Sequence, residues 1–147
     1  MTTLDISTDK SRLDLDVIHS FLVQAYWSRG IPRQTVQRAI DGSMCFGGYL
    51  EEAGQVAFAR VITDGATFAY LADVFVLEGQ RGHGYSKQLM QAIVAHPQLQ
   101  GLRRFMLATF DAHGLYAQFG FVPPARPDRL MEKLDMELYS RAAASAA

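Results

Sequence analysis

The sequence predicts a single α/β domain built on a mixed, mostly antiparallel sheet, and three observations carry that reading. Apolar residues recur at helical spacing in two early segments. They then alternate, or run continuously, through the middle of the chain. Finally, a glycine-containing turn joins the longest apolar run directly to an amphipathic stretch, the order of a strand–crossover–strand unit. With 147 residues, 49% of them hydrophobic, there is material for one core over residues 1–147 and too little for two.

Ser11-Arg12-Leu13-Asp14 resembles a capping box and is expected to open the first helix. Leu15, Ile18, His19, Leu22, Ala25 and Tyr26 would share its buried face, with Gly30 as the stop. Pro32 suits the first position of a second helix, whose stripe is Val36, Ala39 and Ile40. Met44 to Leu50 reads as a strand. After a hairpin loop over 51–54, Gln55 to Thr63 alternates as a second, closed by the turn Asp64-Gly65. Thr67 to Leu77 is nearly all apolar, as in a central strand buried on both faces, and Asp73 is its only charge. A helix from Ser86 to Ala95 follows, then a loop and a further β segment from Arg104 to Thr109. A short helix from Ala112 to Phe119 ends at Gly120, the residue type favoured in a left-handed position after a helix. Phe121-Val122 starts another strand, stopped by Pro123-Pro124, and Met131 to Leu138 is expected to be the last strand. Residues 142–147 read as a frayed tail.

Composition excludes several classes of function. Net charge is −1 with acids and bases interspersed, unlike the clustered cations of a nucleic-acid surface. The single cysteine, Cys45, cannot form an internal disulfide, which favours a reducing compartment. The N-terminal residues lack the pattern of a signal peptide, and no apolar run approaches the ~20 residues that span a bilayer. The expectation is a cytoplasmic protein that engages neither membrane nor nucleic acid.

The chemistry centres on Val74 to Ser86. An apolar strand enters a loop containing Gly82 and Gly84, and a helix starts at once, so free backbone N–H groups converge where an anion binds. Arg81 adds a cation at the mouth and Lys87 another in the first helical turn. The loop lacks GK[ST], so it is no Walker site, and it lacks the third glycine of a dinucleotide fingerprint. Taken alone, it is equally an ordinary strand-to-helix turn.

Arg81-Gly82-His83-Gly84-Tyr85-Ser86 resembles the [Q/R]-x-x-G-x-[G/A] signature of the GNAT superfamily of acyl-CoA-dependent N-acetyltransferases, with Ser86 where Gly or Ala is usual. Asp73-Val74-Phe75-Val76 is similar to that family's fourth strand, and Leu115-Tyr116-Ala117-Gln118-Phe119-Gly120-Phe121 to its later LYxxxGF element. The resemblance implies a fold whose fourth and fifth strands splay apart, with acetyl-CoA as cosubstrate in the gap. It implies that backbone groups of Phe75 and Val76 hold the pantetheine arm and that the pyrophosphate rests on Arg81, Gly82, His83, Gly84, Tyr85 and Ser86, beside Lys87. The Val76 N–H would face the thioester carbonyl, an arrangement worth on the order of 3 kcal/mol to a developing oxyanion. A small-molecule primary amine, or an amino-acid-like one, would attack directly. A homodimer is also implied by the resemblance.

The resemblance gives Tyr116 the role of general acid to the leaving thiolate; read from its neighbours alone it is equally a core aromatic. An alkylamine of pKa near ~10.4 must lose a proton, at roughly 4–5 kcal/mol at neutral pH. Asp73 is the leading base or amine-orienting residue, its alternative being a salt-bridged strand end; Glu78 and His83 are lesser candidates. Tyr26 and Trp27, with Phe46, offer an aromatic wall for the acceptor, and Arg29 or Arg33 a carboxylate contact, although aromatics at helical spacing equally suit a core. Cys45 in an apolar strand is no nucleophile, and Asp111 with His113 is too sparse for a metal site. The alternative to an enzyme is a catalytically silent acyl-CoA sensor.

Overall fold

A computed structural model describes residues 3–146, with side chains through residue 142. Five strands form one sheet in the order β1 (Asp5–Ser7), β2 (Met44–Leu50), β3 (Gly54–Thr63), β4 (Phe68–Val76), β5 (Arg104–Leu107). Pairing is antiparallel throughout except between β4 and β5, which are parallel because a helical crossover connects them.

Helices cover both faces of the sheet. On one face lie α1 (Leu15–Leu22) and α2 (Arg33–Asp41), whose Ile18, Leu22, Val36 and Ile40 pack with Phe58 and Phe75 of the sheet. On the other face lies α3 (Tyr85–Ala95), which buries Tyr85, Leu89, Met90 and Ile93 at helical spacing against Val56, Val61, Leu71 and Val76. Each such aliphatic side chain taken from water is worth about 1.5–3 kcal/mol. The short helix α4 (His113–Ala117) joins the α3 face through Tyr116, and Gly120 follows it at φ 93°. The Phe121 N–H donates to the Tyr116 carbonyl, and the Phe121 ring meets Phe105 of β5 at 5.3 Å, so the end of α4 is pinned to the sheet.

Several sequence expectations are corrected. The first helix is opened by Asp14, not Ser11: its carboxylate accepts from the N–H groups of Asp16 and Val17, whereas Ser11 belongs to a 3-10 turn capped by Asp9. The helix ends at Leu22 rather than reaching Gly30. Ser28 Oγ donates to the Leu22 carbonyl and the Gly30 N–H to the Val23 carbonyl, folding residues 23–31 into a tight loop. Strand β1 carries no apolar alternation; it is held from outside, by β2 and by the Leu4 N–H donating to Gln88 Oε1 at 2.7 Å. Neither Phe121-Val122 nor Met131–Leu138 is a strand. The latter has the alternating pattern but no partner strand among the described residues, and its last position, Leu138, starts α5 (Leu138–Ala146). The expected frayed tail therefore overlaps α5, and Ala147 lies outside the described residues.

Asp14→Ala should lower unfolding free energy by about 1 kcal/mol, while Ser11→Ala should stay within about 0.5 kcal/mol. Urea denaturation of the two variants checks this; an equal cost would return the cap to Ser11.

Candidate active site

The site begins with a defect in β4. Phe58 pairs with Phe75, but Arg60 pairs with Ala72, so β4 carries one residue more than β3 across this interval. The extra residue falls at Asp73, the one non-glycine residue with positive φ (55°) among those described. Left-handed backbone costs an L-residue roughly 1–2 kcal/mol, and Asp is among the few that tolerate it. Its side chain supplies the compensation. Oδ2 accepts from Arg60 Nε at 2.8 Å and Oδ1 from Trp27 Nε1 at 2.9 Å, and the ion pair is mostly buried. Arg60 is fixed in turn by donating to Ser43 Oγ.

The bulge reverses the strand's alternation. Ala69 and Leu71 face α3 before it, and Val74 and Val76 face α3 after it. Beyond the bulge, the Leu77 N–H donates to the Val56 carbonyl at 2.9 Å, so Val76, one residue earlier, turns its N–H and carbonyl away from β3. On that side β5 is gone: the β4–β5 ladder spans only Phe68–Leu71 against Arg104–Leu107. Val76 therefore presents its backbone to an open gap, and Arg81 Nε folds back onto its carbonyl at 3.2 Å. Phe75 does not share this role. Its backbone points to β3, and its ring stacks on Phe21 at 4.0 Å in the opposite core.

At the far end of β4, Gly82 (φ 86°) and Gly84 (φ 79°) turn the chain into α3. A Cβ at either would meet open space, so these glycines serve the left-handed turn rather than close packing. Gly84 caps α3 without a side-chain bond, which leaves the first-turn N–H groups of Tyr85, Ser86 and Lys87 unpaired within the helix. The Tyr85 ring anchors this turn in the core, while Arg81, His83 and Lys87 are exposed around it. Such a cradle fits an anionic diphosphate, and the outward Val76 edge fits an amide-bearing chain. A groove of about 590 Å³ between α1 and Leu77, Glu78 and Arg81 adjoins the cradle.

A second cavity, of about 670 Å³, opens where β4 and β5 part. Tyr26, Trp27, Asp73, Val74 and Tyr116 line it, joined by Arg60, Phe110, Asp111 and Tyr139. Tyr26 and Trp27 meet edge to face at 5.1 Å and Tyr26 lies 6.1 Å from Phe110, so these aromatics form a wall rather than a core. Phe46 is not part of it; it lies in the α3 core. Arg29 is exposed outside the cavity lining, and Arg33 pairs with Asp16 at 2.7 Å. Tyr116 is nearly buried, and burial foremost, with Tyr26 and Asp111 adding, raises its phenol above the ordinary range. Burial pushes the Cys45 thiol up to about 11, which leaves it inert at neutral pH.

Sequence reasoning missed Arg60, Phe110 and Tyr139. Arg60 had a signal, as the single charge within an alternating apolar strand. Tyr139 had none, since it reaches the cavity only because α5 lays it over Gly30, against the apolar cluster of α1 and α2.

Asp73→Asn should keep the left-handed backbone but leave Arg60 without its ion pair, at about 2 kcal/mol. Asp73→Ala should cost about 1 kcal/mol more through backbone strain. Equal losses in chemical denaturation would show that the bulge does not depend on a residue tolerant of positive φ.

Residues 15–121 match the profile of the Acetyltransferase (GNAT) family. The chain is 60% identical to a GNAT-family protein from Xanthomonas campestris pv. campestris, described as a candidate acetyltransferase. Its crystal structure superposes with a TM-score of 0.92 over 95% of this chain and 99% of that one. A Gibberella zeae protein, also described as a candidate acetyltransferase, is 33% identical over 77% of this chain and 75% of its own length. A predicted acetyltransferase of Clostridium acetobutylicum, solved with acetyl-CoA, shares the fold at 13% identity, with a TM-score of 0.64 over 90% of this chain and 96% of that one. The family profile, covering both the bulged strand and the glycine cradle, and the two closer relatives agree: this chain is an acetyltransferase and belongs to the GNAT family.

Proposed function

We propose that the protein transfers an acetyl group from acetyl-CoA to a primary amine of a small molecule or an amino-acid-like acceptor. The observation that carries this reading is the outward backbone of Val76, between a diphosphate-fitting cradle at one end and a cavity lined by Tyr116 at the other. Acetyl-CoA supplies the activated acyl group, and this chain's residues supply orientation and proton control. The diphosphate rests on the N–H groups of the Arg81–Lys87 turn, with Arg81 and Lys87 adding charge. The Val76 N–H supports the thioester oxygen as charge develops there.

The acceptor enters the second cavity against Tyr26 and Trp27. Both Asp73 oxygens already accept one hydrogen bond, yet each keeps lone-pair capacity. Asp73 thus orients the neutral amine by accepting a hydrogen bond from it, and the proton that nitrogen sheds after attack replaces the one Tyr116 gives to the thiolate. Tyr116 protonates the departing thiolate. Burial holds its hydroxyl in the protonated, donating form.

Tyr116→Phe should reduce kcat by about 10²–10⁴-fold, with acetyl-CoA affinity nearly unchanged. Thiol release with an amine panel and a binding isotherm measure the two quantities. An unchanged rate removes Tyr116 from the mechanism. Because its pKa is raised, the acid form persists above the ordinary ~10 of a phenol. For a simple alkylamine, kcat/KM should therefore climb with pH as the amine deprotonates, with no alkaline fall before about pH 10. An alkaline limb near neutrality would contradict the assignment. If acetyl-CoA protects the fold from heat while no amine accelerates thiol release, the chain is an acyl-CoA sensor instead.

A further inference from the structure

The second cavity carries more negative charge than positive. Among the described residues that line it, Arg60 is the one cation, and Asp73 and Asp111 are the acids. Arg60 is already committed: its Nε donates to Asp73 at 2.8 Å and its Nη1 to Ser43 Oγ at 3.1 Å. Arg29 and Arg33, expected to meet an acceptor carboxylate, stand outside the lining. A carboxylate entering this space would find its one cation neutralised and a second acid facing it.

Asp111 is that second acid. Its carboxylate forms no ion pair and no hydrogen bond among the described residues. It stands just before α4, where an acid commonly caps a helix, yet α4 has no side-chain cap, and the Ala112 N–H donates to Thr109 Oγ instead. Its charge reaches the site all the same, since it helps to raise the Tyr116 phenol.

Aromatic rings surround the same space. Tyr26, Trp27 and Phe110 are 65%, 43% and 80% exposed, and none belongs to either hydrophobic core. The Tyr26 ring stands at 85° to Trp27 and at 64° to Phe110, so the three rings enclose a corner and do not stack into a plug. Burial within the fold does not account for rings held in this way. Ring faces carry negative charge density, and rings set at steep angles around one point are suited to an ammonium group. Asp111 follows Phe110 directly in the chain and supplies the charge that offsets the desolvation of such a group.

We propose, on the basis of the amine acetylation proposed above, that the acceptor is an aliphatic diamine or longer polyamine whose second, protonated nitrogen lies among Tyr26, Trp27 and Phe110 and pairs with Asp111. The reacting nitrogen, neutral, forms the new C–N bond as the thioester C–S bond breaks. The proton it sheds replaces the one Tyr116 gives to the thiolate, and the distal ammonium keeps its charge throughout. Amino-acid-like amines bring a carboxylate and are disfavoured, so charge narrows the acceptor class.

Thiol release with α,ω-diamines, n-alkylamines and ω-amino acids matched in chain length tests this. At the best length the diamine should exceed the monoamine about tenfold or more in kcat/KM, and the amino acid should fall below the monoamine. A diamine also has two reactive ends and loses its first proton more easily, so the variants decide the cause. Asp111→Asn should bring diamine and monoamine close to parity, chiefly by raising KM for the diamine. Asp111→Lys should make the ω-amino acid the best of the three. These ratios cancel any effect of Asp111 on Tyr116, which all three acceptors share. Phe110→Ala should raise the diamine KM several-fold with urea unfolding unchanged, because its ring lies in solvent. A wild type that takes the monoamine or the ω-amino acid as well as the diamine, or a diamine preference that survives Asp111→Asn, overturns the proposal and leaves acetyl transfer standing. Bound acetyl-CoA with no thiol release to any amine would overturn the transfer reading itself, and the diamine with it.

Discussion

The hold of Arg60 and Trp27 on the Asp73 carboxylate is the constraint on which the rest of the site depends. It keeps one residue of β4 in a backbone region that most side chains avoid, and so lets the strand carry an extra residue. Every residue after that point changes face. Without the shift, Phe75 rather than Val76 would turn its backbone to the gap, and the apolar faces of the strand's end would be exchanged. The two charge-assisted contacts are of the right size to offset a strain of roughly 1–2 kcal/mol.

Trp27 couples this backbone defect to the cavity. It donates to Asp73 with its indole N–H and presents its ring beside Tyr26, so the tight 23–31 loop is attached to the bulged strand. Further contacts hold that loop, through Ser28 Oγ on the Leu22 carbonyl and a His19 ring nitrogen 2.9 Å from the Ile31 carbonyl. The aromatic wall and the strand edge are therefore parts of one rigid arrangement, although more than forty residues separate them in sequence.

What could be read from the sequence follows physical range. Met44–Leu50 was legible to the residue, because a short apolar run bounded by turns is a local signal. The glycine cradle was legible because positive φ restricts residue type at its own position. The cap of α1 was not, since Ser11 and Asp14 are both competent and the choice rests on where the chain leaves the 3-10 turn. β1 was invisible because its partners, β2 and Gln88, lie far along the chain. Asp73 stood out as a charge in an apolar strand, but its ion pair needed the β3 register to bring Arg60 alongside. Arg29 fitted the expected pocket by proximity in sequence and points elsewhere in space.

The two halves of the site are made of different material. The cradle and the Val76 edge consist of peptide N–H groups set by glycines and by a ladder, whereas the second cavity is lined by residues of α1 and its following loop, α2, three strands, α4 and α5. A substitution changes a side chain and leaves the peptide unit beneath it in place. Sequence drift can thus reshape the second cavity while the peptide half persists almost untouched; on the function proposed above, such drift would change the acceptor without rebuilding the chemistry.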